Sequence, residues 1–165
     1  MGGDHAPHSN LQGALLASKS LRDGEKIVLI GDEKIALQFF QDNNIDYSNF
    51  EFIHADQHIE MNEHATKALR QKPNNSISVG FEALKNGEID VFSSAGNSGA
   101  MLVGSMFSIG PIKGVIRPCI TSVLPKENGS VGLILDVGVN ADCKPDVLFQ
   151  FAILGSLFAE NIYGI

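Results

Sequence analysis

The chain has 165 residues, 44% of them hydrophobic, and a formal net charge of −7. That length suits one folded domain around a single core, and the acidic balance disfavours a nucleic-acid binder, which carries a basic excess. Two cysteines, Cys119 and Cys143, are too few for a disulfide framework or a metal signature and read as reduced thiols of a cytosolic protein.

The start shows no basic region followed by an apolar stretch, and Ala6 stands where a myristoylation signal needs Ser or Thr. No apolar run approaches the roughly 20 residues that span a bilayer. Residues 7–21 read as a helix, because Leu11, Ala14 and Leu15 recur at three and four residues and Pro7 suits a first turn. Residues 26–30 form a short apolar run closed by Gly31, a buried strand. Asp32 can cap the helix that follows, and residues 50–54 are a second strand. Asn62 is a possible cap for a helix carrying Ala65, Ala68 and Leu69. Residues 76–86 are another, with Ile77, Phe81 and Leu84 on one face and Gly87 as its stop.

Residues 90–94 read as a strand that breaks into a small-residue turn, followed by a helix over residues 100–108. That helix is apolar nearly all round, so burial is expected. Residues 118–124 and 130–136 are two strands around a Lys126-Glu127-Asn128-Gly129 turn. Residues 146–160 are a last helix, which Asp142 or Asp146 could cap. Strands alternating with helices imply an α/β protein with a largely parallel sheet covered on both faces, whose ligands bind at the carboxyl ends of its strands. No strand stands before the first loop and none follows the last helix, so a partial domain over residues 1–165, incomplete at both ends, is expected.

Four loops carry residues suited to chemistry. Gly2, Gly3, Asp4 and His5 place two glycines, a carboxylate and an imidazole before a helix; a plain tight turn is the other reading. Ser94, Gly96, Asn97, Ser98 and Gly99 offer a phosphate cradle at a helix start, against a close-packed turn. The spacing is neither a Walker loop nor a dinucleotide fingerprint, so a nicotinamide-dependent dehydrogenase is a weak option. Lys113 and Arg117 flank Gly114 and could grip phosphate oxygens, or simply be solvated. Asp136, Gly138, Asn140, Asp142 and Lys144 make an acidic turn ending in a lysine. His54, Asp56 and His58 alternate along an extended segment, but no further ligand follows at a clear spacing, so a metal site is disfavoured there.

Together the four loops resemble one family, the PlsX-type phosphate acyltransferases. Members carry D-A-M-G-G-D-H-A-P, matched by Met1-Gly2-Gly3-Asp4-His5-Ala6-Pro7, and S-A-G-N-[ST]-G-A, matched from Ser94 to Ala100. They carry K-G then R-P, matched by Lys113-Gly114 and Arg117-Pro118, and L-D-x-G-A-N-x-D-C-K-P, matched from Leu135 to Pro145 with Val139 in place of Ala. The resemblance implies a three-layer α/β/α sandwich with a Rossmann-like sheet, as in isocitrate dehydrogenase-like enzymes. It implies transfer of a long acyl chain from acyl carrier protein to inorganic phosphate for phospholipid synthesis, with no cofactor and no metal. It also implies a cytoplasmic homodimer peripherally associated with the membrane.

On residue chemistry, the turn from Gly96 to Gly99 and Lys113 or Arg117 would hold phosphate. Asn97 or His5 would donate to the oxyanion or the leaving thiolate, and Asp4 and Asp136 would orient the donors. Lys67, Arg70 and Lys72 are candidates for docking an acidic carrier. Two rivals are a phosphate acetyl- or butyryltransferase using acyl-coenzyme A, and a non-catalytic phosphate-binding α/β fragment.

Overall fold

The computed structural model describes residues 2–165; Met1, which opens the first motif, lies outside them. The chain folds as two compact units divided between Ile109 and Gly110. Its strands and helices make it an α/β protein.

In the first unit, β1 (Ile27–Gly31) pairs in parallel with β2 (Phe50–His54), with Ile27 opposite Phe50 and Gly31 opposite His54. Between them runs α2 (Glu33–Asp42), started as the sequence predicts: the Asp32 carboxylate accepts from the N–H groups of Lys34 and Ile35. The helix α1 (His8–Ser18) contributes Leu11 to a core built from Leu29, Ala36, Phe39, Phe40 and Phe50. Phe40 is fully buried and stacks on Phe50 and Tyr47, so this cluster fastens both strands to α2.

A second cluster joins Ile59 with Ala68 of α3 (Ala65–Gln71), Ile77 and Phe81 of α4 (Ser76–Asn86), and Ala100 of α5 (Ser98–Ser108). The helix α4 spans the predicted residues. It starts on the side chain of buried Asn75 and stops at Gly87, whose φ of 74° is the left-handed conformation that glycine adopts without strain. Phe81 packs so closely on α5 that a Cβ on Gly104 would stand 2.9 Å from its ring.

Three local expectations are corrected. Residues 90–94 belong to no β-ladder, because no strand among the described residues is hydrogen-bonded to them. Asn62 does not cap α3; His64 occupies the cap position without a side-chain bond. The helix α5 begins at Ser98 and is not buried all round: Ala100 and Gly104 are buried, whereas Phe107 is 72% exposed.

In the second unit, β3 (Thr121–Pro125) and β4 (Val131–Leu135) form an antiparallel hairpin, Thr121 opposite Leu135. Its turn lies at the predicted Lys126-to-Gly129 stretch, where the Gly129 N–H donates to the Lys126 carbonyl at 3.0 Å. The helix α6 (Pro145–Phe158) buries Val147 and Phe151, packs on β4 with a close approach of Gly155 to Leu135, and ends in a π-helical turn at Ala159–Tyr163. Neither Asp142 nor Asp146 caps it; Lys144 holds the cap position and Pro145 the first turn. No helix among the described residues is long and apolar enough to cross a membrane.

Candidate functional site

The first and second motif loops meet in the first unit. A Cβ on Gly2 would lie 3.2 Å from the Cα of Gly96, and one on Gly3 would lie 2.9 Å from the Ala95 carbonyl oxygen. Only glycine permits that backbone-to-backbone approach, and the φ of 118° at Gly3 adds a conformation that side chains disfavour. The Asn10 side-chain amide, one turn into α1, donates to the Gly2 carbonyl at 3.2 Å and holds the loop from the other side. Asp4 and His5 follow in the turn before α1 with exposed side chains, and the His5 carbonyl accepts from the Ser9 N–H.

The turn before α5 is closed by its own side chains. The Ser94 hydroxyl accepts from the Gly96 N–H at 3.1 Å, and the Asn97 side-chain oxygen accepts from the Ala100 N–H at 2.9 Å. The Asn97 amide nitrogen, 7% exposed with its residue, donates to the carbonyls of Glu60, Met61 and Glu63 at 3.0, 3.3 and 3.0 Å. This polar side chain thus ties the start of α5 to a loop more than 30 positions earlier. The N–H groups of Ser98 and Gly99 have no acceptor among the described residues, so the first turn of α5 presents two donors to an anion. Gly99 packs against Ala65, which brings α3 beside that turn.

The loop that Asn97 holds is braced by ions. The Glu63 carboxylate accepts from the Lys72 ammonium at 2.6 Å and from the Glu60 N–H at 2.7 Å. Lys72 chiefly, then the Glu60 N–H, hold the Glu63 carboxyl below the usual carboxylate range. Lys72 is thereby committed to Glu63 and to the His58 carbonyl, while Lys67 and Arg70 of the same basic stretch stay exposed. His58 pairs with Glu60 at 2.8 Å, His54 accepts from the Glu33 N–H, and Asp56 accepts from Asn74. Each of these three faces a protein partner.

The third and fourth motif loops meet in the second unit, around Asp136. Its carboxylate accepts from the Ile120 N–H at 2.7 Å, the Val139 N–H at 3.0 Å and the Asn140 N–H at 2.6 Å, with the Asn140 side chain adding a fourth bond. Burial works against the charge, but these N–H donors outweigh it and hold the Asp136 carboxyl below its ordinary value. Burial, with the Asp136 charge behind it, pushes the Cys119 thiol up, which makes it a poor nucleophile. The Asn140 amide also donates to the Pro118 carbonyl at 3.0 Å, and Arg117 donates to the Asp142 carbonyl at 3.0 Å, so the two loops are stitched together twice. The side chains of Lys113, Asp142 and Lys144 are exposed, as is Gly138 at a φ of 81°.

Two contributors escape a sequence reading. Gln150 of α6 clamps the Lys113 loop, accepting from the Ile116 N–H and donating to the Gly114 carbonyl, each at 2.8 Å. Asn10 has no motif around it. The cap at Asn97, by contrast, has a signal in the sequence: an asparagine directly before a small-residue helix start.

The whole of residues 1–165 matches the model of the fatty acid synthesis protein family. The chain is 42% identical over its full length to a phosphate acyltransferase of Caldanaerobacter subterraneus, covering 48% of that protein. It is 37% identical over its full length to one of Clostridioides difficile, again covering 48%. It is 38% identical over 99% of its length to one of Herpetosiphon aurantiacus, covering 44%. The chain thus spans just under half the length of these relatives.

Proposed function

Since this chain belongs to the fatty acid synthesis protein family, we propose that it is the phosphate-handling part of an acyltransferase that moves a long acyl chain from acyl carrier protein to inorganic phosphate. The observation that carries this reading is the junction of Gly2 and Gly3 with the turn at Ala95 and Gly96, beside the open N–H groups of Ser98 and Gly99. A backbone cradle at a helix start suits a dianion that is itself the nucleophile.

A phosphate oxygen attacks the thioester carbonyl, the tetrahedral intermediate collapses, the C–S bond breaks and the carrier thiol leaves with a proton. No covalent enzyme intermediate is needed, so the protein's work is to position the phosphate and to stabilise the oxyanion. In the first unit, the Ser98 and Gly99 N–H groups bind phosphate and exposed His5 donates to the oxyanion or the leaving sulfur. Asn97 takes a different part from a direct donor: its amide protons are engaged by three carbonyls, so it acts by positioning the turn. In the second unit, exposed Lys113 and Arg117 supply positive charge, and Asp136 shapes the loop that carries Asn140 and Lys144.

The proposal extends to the three-layer α/β/α arrangement, a cytoplasmic homodimer at the membrane surface, a place in phospholipid synthesis, and docking of the acidic carrier on Lys67 and Arg70. The test is a donor comparison: acyl carrier protein or coenzyme A thioesters of one chain length, with inorganic phosphate, followed by acyl-phosphate formation. Preference for the carrier-bound donor is expected, together with its loss when Lys67 and Arg70 are both replaced by Glu. Equal use of both donors, unchanged by that charge reversal, would overturn the carrier assignment.

A further inference from the structure

Residues 55–64 join β2 to α3, and they gather oxygens. The carbonyls of Glu60, Met61 and Glu63 converge on the Asn97 amide nitrogen, which has two protons to share among the three. The His58 carbonyl and the Glu63 carboxylate belong to the same loop. Acceptors brought together repel one another, so the loop keeps this shape only while donors hold it. Besides Asn97, the donor that reaches these residues from elsewhere in the chain is Lys72. Its ammonium donates to the Glu63 carboxylate at 2.6 Å and to the His58 carbonyl at 2.9 Å, and the same Glu63 oxygen accepts from the Glu60 N–H at 2.7 Å.

Lys72 is itself fixed. It closes α3, its N–H donating to the Ala68 carbonyl. Its own carbonyl accepts from the N–H and the side-chain amide of Asn75, which is fully buried. The side chains of Lys72 and Glu63 are each 30% exposed, whereas Lys67 and Arg70 of the same helix lie open to solvent. The other end of α3 stands at the cradle, where Ala65 packs against Gly99.

We propose that Lys72 is a positioning residue for the anion cradle at the start of α5. Through Glu63 it sets the carbonyls that seat Asn97, and Asn97 sets the turn that carries the Ser98 and Gly99 N–H groups. The identity of the anion rests on the acyl-transfer reading; the relay of hydrogen bonds does not. Lys72 thus takes a part different from the carrier docking assigned to Lys67 and Arg70. Backbone donors bind an anion well when they are fixed before it arrives. A loosened loop therefore lowers affinity without removing any group that touches phosphate.

The test compares Lys72→Met, which keeps an apolar stem and removes the donors, with Lys72→Arg, which keeps the charge and enough N–H groups for both acceptors. Lys85→Met, at the exposed last turn of α4, controls for lost charge alone. Two readouts are taken: the NMR shifts of the Asn97 side-chain amide and the Ser98 and Gly99 N–H groups without ligand, and calorimetric titration with inorganic phosphate. Lys72→Met should move those shifts and weaken phosphate binding at least about fivefold. Lys72→Arg should recover most of both, and Lys85→Met should change neither. Glu63→Gln, which keeps an acceptor for the Glu60 N–H, should weaken binding similarly, and adding Lys72→Met to it should change little further. If Lys72→Met does not fold, Glu63→Gln carries the same comparison. A lysine serving global stability alone would lower the urea midpoint and leave the shifts and the affinity of the folded protein as they are; that result overturns the proposal. Failure of the unmodified chain to bind phosphate counts against the acyl-transfer reading, whereas unmoved shifts count against the relay.

Discussion

Two side chains hold most of the motif geometry, and each makes a separable prediction. Asn97→Ala removes the cap of α5 and the amide donor shared by the Glu60, Met61 and Glu63 carbonyls, of which Glu60 keeps the Glu63 N–H, so a loss of about 2–4 kcal/mol is expected in chemical denaturation. Asn97→Asp keeps the capping oxygen but sets a second carboxylate oxygen against those carbonyls, so it should stay destabilised although the cap remains. Asp136→Asn exchanges a charged acceptor for a neutral one, at a cost of about 1–2 kcal/mol near neutral pH. The pH dependence follows from the direction of the shift. The folded Asp136 carboxyl lies below its unfolded value, so its contribution is present above the unfolded pKa and disappears as pH falls through the folded one. Stability measured against pH should thus show a smaller acid-side decline in the Asn variant. The motif residues were legible in the sequence; their partners were not. Nothing near Asn97 in the chain points to Glu60, Met61 and Glu63, and nothing near Gly114 points to Gln150, because such pairings exist only once the backbone has folded.

Local rules fared best where one residue decides the outcome. Asp32 starts α2 and Gly87 stops α4 because a cap and a left-handed glycine act within one turn. They fared worst where a distant partner decides: residues 90–94 have strand composition but no ladder partner among the described residues, and α5 has the composition of a buried helix but leaves Phe107 exposed. Packing at the element scale offers a sharp test. Gly104→Val would drive side-chain carbon into the Phe81 ring, where even a Cβ stands at 2.9 Å, and should cost about 1–3 kcal/mol in thermal or urea unfolding. Gly3→Ala is the functional counterpart. Its Cβ would meet the Ala95 carbonyl at 2.9 Å in a backbone conformation that alanine resists, so the two motif loops must separate. Phosphate affinity, read by calorimetry, should fall at least about tenfold, with helical circular dichroism retained.

At the scale of the whole molecule, the motifs pair off within the two units: the first with the second before Ile109, the third with the fourth after Gly110. Family membership rests on residues 1–165 together, and the α/β character on both units. Lys67, Arg70, Lys113 and Arg117 are exposed and make no ion pair among the described residues. The central claim is that inorganic phosphate is the acyl acceptor. Its most direct test is an assay with phosphate carrying four ¹⁸O atoms and an acyl carrier protein thioester, read by mass spectrometry. The account predicts an acyl-phosphate that keeps all four labelled oxygens, formed in step with free carrier thiol. Release of free fatty acid at a rate independent of phosphate, with no labelled acyl-phosphate, would contradict it.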